Sequence, residues 1–246
     1  MSLPVHLVPS LDAATTGSTV VVEGDEAHHA VAVRRLRTGE QVVLTDGLGR
    51  AVVGEVGETG KRRLEVVVTS VTSEPEPAPA VTVVQALPKG DRGELAVEVL
   101  TEVGVARVVP WAAARSVAVW KGERAEKGLA KWRATAREAA KQSRRSWHPV
   151  VDPLATTAGV VDLVAAADLA VVLHEDATDP LSGLEVPALG SVLVVVGPEG
   201  GIAPEELDAL TAAGARSVRL GAEVLRTSTA GVAAVAALLA RTPRWG

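Results

Sequence analysis

The sequence predicts an α/β protein: a parallel sheet covered on both faces by helices in the larger C-terminal part, preceded by a small N-terminal β-barrel. Three observations carry this. Short Val-rich runs separated by glycine turns fill the first seventy or so residues. A proline-alternating segment, Glu74-Pro75-Glu76-Pro77-Ala78-Pro79-Ala80, then interrupts the pattern. Beyond it, apolar runs without polar alternation recur between helical segments, the signature of strands buried on both faces.

The barrel strands are expected at Ser18–Val22, Gln41–Thr45, Ala51–Val56 and Leu64–Thr69, with turns at Asp46-Gly47 and Glu58-Thr59-Gly60. Closely spaced short strands with turn signals suit a small barrel. Asp25–Leu36 breaks the strand pattern; acids first and arginines last suit the dipole of a short helix. Alternating prolines fit neither sheet nor helix and favour a stiff connector. Domains are therefore expected over residues 1–73 and 81–246, joined by a linker over 74–80.

In the second domain, strands are expected at Val81–Leu87, Ala106–Pro110, Leu169–His174, Ser191–Gly197 and Ser217–Leu220. The helices are Asp91–Val103 ended by Gly104, a long basic Glu123–Arg145, Pro204–Ala213 ended by Gly214, and an alanine-rich Thr227–Ala240. Proline and acids at a helix start and glycine past its end follow the usual asymmetry.

Composition narrows the chemistry. The chain of 246 residues has no Cys, Phe or Tyr, so its core is aliphatic with five Trp. Disulfides and thiolate chemistry are excluded. The five histidines show no metal-ligand spacing, and no metal is expected. No signal peptide or bilayer-length apolar run is recognised, so a soluble cytoplasmic protein without a membrane partner is expected. The net charge is −5, but from Arg115 to His148 ten basic residues face three acidic ones. A local basic surface on an acidic protein is a footprint of polyanion binding, although a solvated helix face would look alike.

Four segments could carry chemistry. Val194–Glu206 runs from a buried strand through Gly197-Pro198-Glu199-Gly200-Gly201 into a helix. Ligands of open parallel sheets bind beyond the carboxyl ends of strands, and glycines allow close backbone approach. No nucleoside-triphosphate or dinucleotide fingerprint is present, and Glu199, Glu205 and Glu206 disfavour a phosphate there. A phosphate-free cofactor such as S-adenosylmethionine, with its positive sulfonium, fits better. Val218–Ala230 is a strand and glycine turn leading to Arg226 just before Thr227-Ser228-Thr229. The hydroxyls are good N-caps, whereas an arginine there suits a base oxygen or a phosphate. In the basic helix, Glu138, Gln142 and Arg145 share a face. Lys89 and Arg92 follow the first strand of the sheet, in position to meet phosphate.

Together these segments resemble the RsmE-type 16S rRNA uridine-N3 methyltransferases of the SPOUT class. The matching positions are His28-His29, Arg34-Arg35-Leu36-Arg37 and Gly39; Lys89, Asp91-Arg92 and Glu94; Thr101–Val105; Arg115-Ser116; Trp132, Glu138-Ala139 and Gln142-Ser143-Arg144; Gly197–Gly201; and Leu220-Gly221, Leu225-Arg226 and Thr229-Ala230. Ser228 departs from the family, which often carries Glu there.

The resemblance implies a SPOUT parallel sheet with a deep trefoil knot, a PUA-like barrel that helps bind RNA, and a homodimer with its site near the interface. The implied function is S-adenosylmethionine-dependent methylation of N3 of a uridine in 16S rRNA of the small ribosomal subunit, a step of ribosome biogenesis. The cofactor site would comprise Leu173, His174, Glu175, Gly197, Pro198, Glu199, Gly200, Gly201, Leu220, Gly221, Val224, Leu225, Arg226, Thr229 and Ala230. Arg226 is expected to stabilise charge on the base, and Glu138 or Glu199 to take the proton. RNA contacts are expected from His28, Arg34, Arg35, Arg37, Lys89, Arg92, Arg115, Lys141, Gln142, Arg144 and Arg145. Two other readings stay open at this point: a related knotted enzyme acting elsewhere on RNA, for instance at a ribose hydroxyl, and a non-catalytic RNA-binding protein of the same fold.

Overall fold

A computed structural model describes residues 3–245. The chain forms two compact units, Met1–Glu76 with Ala140–His148, and Pro77–Ala139 with Pro149–Gly246.

The first unit contains strands β1 (Val5–Leu7), β2 (Thr19–Glu23), β3 (Gln41–Thr45), β4 (Arg50–Gly60) and β5 (Arg63–Ser73), and helix α1 (Gly24–His28). They form one sheet in the order β1-β3-β4-β5-β2. Val22, Leu44, Val52, Val56, Leu64 and Val66 point into one cluster shared by all the long strands, so the sheet curls around its own core. The strand pair β4–β5 outruns the sequence expectation. Glu58-Thr59-Gly60 is strand rather than turn, because Thr59 and Gly60 pair with Leu64 and Arg63 across an irregularity after Val56, which moves the turn to Lys61-Arg62. The helix expected to reach Leu36 is shorter: α1 passes into one π-helical turn, His29–Val33, and Arg35 is left-handed at φ +59°.

The second unit carries β6 (Ala80–Ala86), α2 (Arg92–Glu102), β7 (Arg107–Trp111), most of α3 (Glu123–Gln142), β8 (Val150–Val151), α4 (Thr157–Ala166), β9 (Leu169–Leu173), β10 (Ser191–Val196), α5 (Pro204–Ala212), β11 (Arg216–Val218) and α6 (Thr227–Leu239). All six strands run parallel in the order β11-β9-β10-β6-β7-β8. Alternate side chains serve two cores, as strand geometry requires. Val81, Val83, Val192 and Val194 meet Val97, Leu100, Trp132 and Val235 on one face. Val84, Ala86, Val109, Val172, Leu193 and Val195 meet Val160, Val164 and Leu210 on the other. Gly231 lets α6 lie close to the sheet, since a Cβ there would stand 3.2 Å from Leu100 and 3.3 Å from Val196.

The basic helix stops three residues short of expectation, and Arg144 leaves it left-handed at φ +55°. β1, β8 and α4 have no counterpart among the expected elements.

Candidate active site

Because the strands are parallel, their carboxyl ends share one edge, and the loops leaving them enclose a cavity of about 780 Å³ in the second unit. That size lies within the range of small-molecule sites, roughly 300–1,000 Å³.

Three loops form most of the wall. After β9 come Leu173, His174, Glu175 and Asp176; after β10 come Val196 through Ile202; after β11 come Arg219 through Arg226. Arg92 from the start of α2 and Arg115 from the loop after β7 complete it. The β10 loop depends on its glycines. A Cβ on Gly197 would lie 2.6 Å from Ile202 Cγ1, and Gly201 takes φ +74° while its N–H donates to Pro198 O at 2.9 Å. The other two loops are laced together: His174 N–H donates to Val218 O at 3.0 Å and Arg219 N–H to Asp179 O at 2.8 Å. Asp176 N–H donates to His174 Nδ1 at 3.3 Å, which leaves Nε2 as the ring's proton-bearing atom when neutral.

Arg226 precedes α6, and its carbonyl accepts from the N–H groups of Thr229 and Ala230 at 2.9 Å each. Gln85 helps hold this helix start: its Nε2 donates to Thr227 O at 3.2 Å. Gln85 is fully buried in a valine-rich strand, and its Oε1, like Ser228 Oγ, has no partner among the described residues. Glu199 Oε1 accepts from Lys89 N–H at 3.1 Å, tying the loop after β6 to the cavity rim. Arg115 Nη1 reaches Gly200 O at 3.4 Å.

The structure thus brings together Leu173, His174, Glu175, Gly197, Pro198, Glu199, Gly200, Gly201, Leu220, Gly221, Val224, Leu225, Arg226 and Ala230 around one cavity, with Arg92 and Arg115. Thr229 lies outside the lining; its hydroxyl turns back to Arg226 O at 3.3 Å. Glu138 is also outside, on α3, where Arg137 stands 3.6 Å away. Asp176 and Asp208 line the cavity and were missed, while Arg219, Glu223 and Thr227 line it from within the Val218–Ala230 segment already singled out. Arg219 carried a readable signal, a basic side chain at a strand end before a glycine turn; the acids gave none.

In the first unit, His28, Arg34, Arg35 and Arg37 are exposed, as are Gln142 and Arg144. Lys141 corrects the expectation of an RNA-facing side chain. It is 7% exposed and its ammonium meets both oxygens of Glu26, at 3.2 and 3.3 Å. It was expected there as one cation of the basic stretch; the acid that claims it lies far away in sequence. His6, itself buried, donates from Nδ1 to Glu26 at 2.9 Å. Burial pushes the Glu26 carboxyl upward, but the His6 hydrogen bond and the Lys141 ammonium outweigh it and bring its pKa to about 2. Nearby, burial and then the charges of Arg145 and Lys141 lower His148 to about 4.

Among the described residues, no group of His, Cys, Asp or Glu is arranged to hold a metal, and no helix is long and apolar enough to cross a membrane.

The chain matches two family models, an RNA methyltransferase domain over residues 74–239 and an RNA methyltransferase PUA domain over residues 22–69. It is 50% identical to the ribosomal RNA small subunit methyltransferase E of Mycobacterium bovis over 94% of this chain and 89% of that protein. The Bacillus subtilis protein of the same name is 31% identical over 91% of each chain. Among solved structures, a ribosomal RNA small subunit methyltransferase E from Neisseria gonorrhoeae, bound to S-adenosyl methionine, superposes with a TM-score of 0.85 at 28% identity and 96% coverage of both chains. The curled sheet followed by a parallel sheet with a loop-lined cavity at its carboxyl edge is this family's architecture, and the chain belongs to the ribosomal RNA small subunit methyltransferase E family.

Proposed function

We propose that this protein methylates N3 of a uridine in 16S rRNA of the small ribosomal subunit, using S-adenosylmethionine. One observation carries the reading: the three loops beyond β9, β10 and β11 close on a single cavity lined by glycines, aliphatic side chains, acids and arginines. The residues fit the methyl donor. Gly197, Gly200, Gly201 and Gly221 in the lining would let the donor approach the backbone, and Glu175, Asp176 and Glu223 would offer negative charge to its sulfonium. No built phosphate cradle is needed for such a molecule. The named relatives and a ligand-bound neighbour support the same reading.

S-adenosylmethionine supplies an electrophilic methyl group when bound. The protein's own part is to deprotonate, orient and stabilise. N3 of uridine is an imide nitrogen whose lost proton leaves charge on O2 and O4. Arg226, which lines the cavity, is the group that stabilises that charge. Glu199 is the acceptor of the N3 proton: one oxygen is fixed by Lys89 N–H, which aims the other. Holding base and donor in line supplies much of the acceleration.

In this reading residues 1–73 are a PUA-like RNA-binding domain, 74–80 a linker and 81–246 a knotted methyltransferase domain that lends Ala140–His148 to the first unit. Arg34, Arg35, Arg37, Gln142, Arg144 and Arg145 meet rRNA, and Lys89, Arg92 and Arg115 hold phosphates beside the target. The loops around the cavity form a deep trefoil knot, an exception to the unknotted rule. The enzyme works as a homodimer in the cytoplasm.

The test is methyl transfer from labelled donor to small subunits lacking the modification, followed by digestion and mass spectrometry of the nucleosides. Methyl on uridine N3 is expected; methyl on a ribose, or none, overturns the reading. Arg226→Ala should lower turnover at saturating RNA by about 10²–10³.

A further inference from the structure

We propose that Glu206 is a positioning residue for Arg115, fixing the loop after β7 so that this arginine addresses an RNA phosphate beside the target base. The inference rests on the function proposed above and goes beyond it, because Glu206 does not itself line the cavity.

Glu206 lies in the first turn of α5, and it is 7% exposed. A carboxylate withdrawn from water must recover its hydrogen bonds or be strongly disfavoured. Its donors come from three separate segments. Ala203 N–H donates to Oε2 at 3.3 Å, so Glu206 caps the start of α5 from within its first turn. The Thr157 hydroxyl, at the start of α4, donates to Oε1 at 2.7 Å. Ala114 N–H, in the loop after β7, donates to the same Oε1 at 2.9 Å. Thr157 Oγ1 in turn accepts from the indole N–H of fully buried Trp111 at 3.3 Å.

Capping α5 requires only the Ala203 contact, and an exposed glutamate would provide it. Burying the carboxylate adds the two bonds at Oε1, and these fix the loop. Ala114 immediately precedes Arg115, so its anchored N–H sets the direction in which Arg115 leaves the chain. The loop is held again from the far side. Arg115 O lies 3.1 Å from where a Cβ on Gly200 would stand, and Arg115 Nη1 donates to Gly200 O at 3.4 Å. Gly200 and Glu206 belong to one turn-and-helix segment, so the same segment that walls the cavity also sets its basic neighbour. A guanidinium held in one geometry loses less entropy on meeting a phosphate than a free one.

The split between the two oxygens makes the proposal testable. In Glu206→Gln, the amide oxygen can keep both Oε1 bonds while the NH₂ faces Ala203 N–H, so the cap is lost and the loop retained. Glu206→Ala loses both. RNA affinity, donor affinity and methyl transfer to small subunits are measured on wild type, Glu206→Gln, Glu206→Ala, Arg115→Ala and the Glu206→Ala, Arg115→Ala double variant. Expected are a lowered melting point with near-normal RNA affinity for Glu206→Gln, and about tenfold weaker RNA binding for Glu206→Ala and Arg115→Ala alike. The double variant should be no weaker than either single one, because both act through one contact. Donor affinity should hold in both single Glu206 variants. Losses that multiply in the double variant, or loss of donor binding with Glu206→Ala, overturn the proposal. Should Glu206→Ala fail to fold, unchanged RNA affinity in Arg115→Ala, or RNA affinity lost in a folded Glu206→Gln, overturns it equally. A wild type that binds RNA by this pattern without transferring methyl overturns only the function proposed above.

Discussion

Each unit of this protein withdraws a carboxylate from solvent, and the two are satisfied by opposite means. In the first unit, Glu26 is met by the Lys141 ammonium and the His6 ring. In the second, Glu206 is met by a hydroxyl and two backbone N–H groups, with no cation among the described residues. Charge pairing holds by attraction between full charges and answers to pH and partner loss. Neutral donors hold by direction and answer to geometry. The second unit, whose loops must present reacting groups at fixed distances, uses the directional kind; the first, which fixes a helix end, uses the electrostatic kind.

Removing one partner is the strongest way to break the contrast. Lys141→Met leaves Glu26 facing His6 alone, and stability by urea denaturation should fall by about 3 kcal/mol. Adding Glu26→Gln to it should recover a good part of the loss, since no uncompensated charge then remains. Thr157→Val should cost less, about 1–2 kcal/mol, by stripping one donor from Glu206 and one acceptor from Trp111. That loss should be the same at low and high salt, whereas the Lys141 loss should shrink as salt rises.

Acid should act on the first unit next, which holds both His148 and Glu26. His148 is lowered to about 4 from an ordinary 6.5, so the unfolded chain binds its proton first. Stability from this group is complete above about pH 6.5 and falls as the pH drops toward 4. Glu26, lowered to about 2 from 4.5, contributes fully above pH 4.5 and loses that contribution as the pH falls through 2. Denaturation midpoints measured across pH should therefore show two limbs. His148→Gln should flatten the upper limb and Lys141→Met the lower one. The smallest effect concerns Arg144. Its left-handed backbone suits glycine, so Arg144→Gly should raise the melting midpoint slightly, a gain of at most about 1 kcal/mol. RNA affinity should fall in the same variant.

The parallel sheet and the cavity loops were legible because their signals are local. A continuous apolar run such as Ser191–Val196 needs no partner to declare itself, and the glycines that follow it stand where a Cβ would meet Ile202, at Gly197, or where φ is positive, at Gly201. Helix α4 was not legible: Val160, Val161 and Val164, with Gly159, read as neither period, and its start is secured by the Thr156 hydroxyl accepting Gly159 N–H at 3.3 Å. β8, at two residues, is too short for any pattern. The roles of Glu206 and Lys141 depend on Ala114 and Glu26, residues that only the fold brings near. Glu206 read as a helix-start acid, and Lys141 as one more cation on a basic face. Gln85 was the exception that could have been caught, a lone amide in a valine strand.

Trp147 lies with its indole N–H donating to Glu74 O at 2.9 Å, over Gly49, where a Cβ would stand 2.4 Å from its ring nitrogen. With neither tyrosine nor phenylalanine in the chain, ultraviolet emission comes from tryptophan alone. Trp147 is the one tryptophan of the first unit; Trp111, Trp120, Trp132 and Trp245 belong to the second. Replacing those four would leave a chain whose fluorescence follows the docking of Ser146–His148 against the curled sheet, a built-in optical reporter of that event.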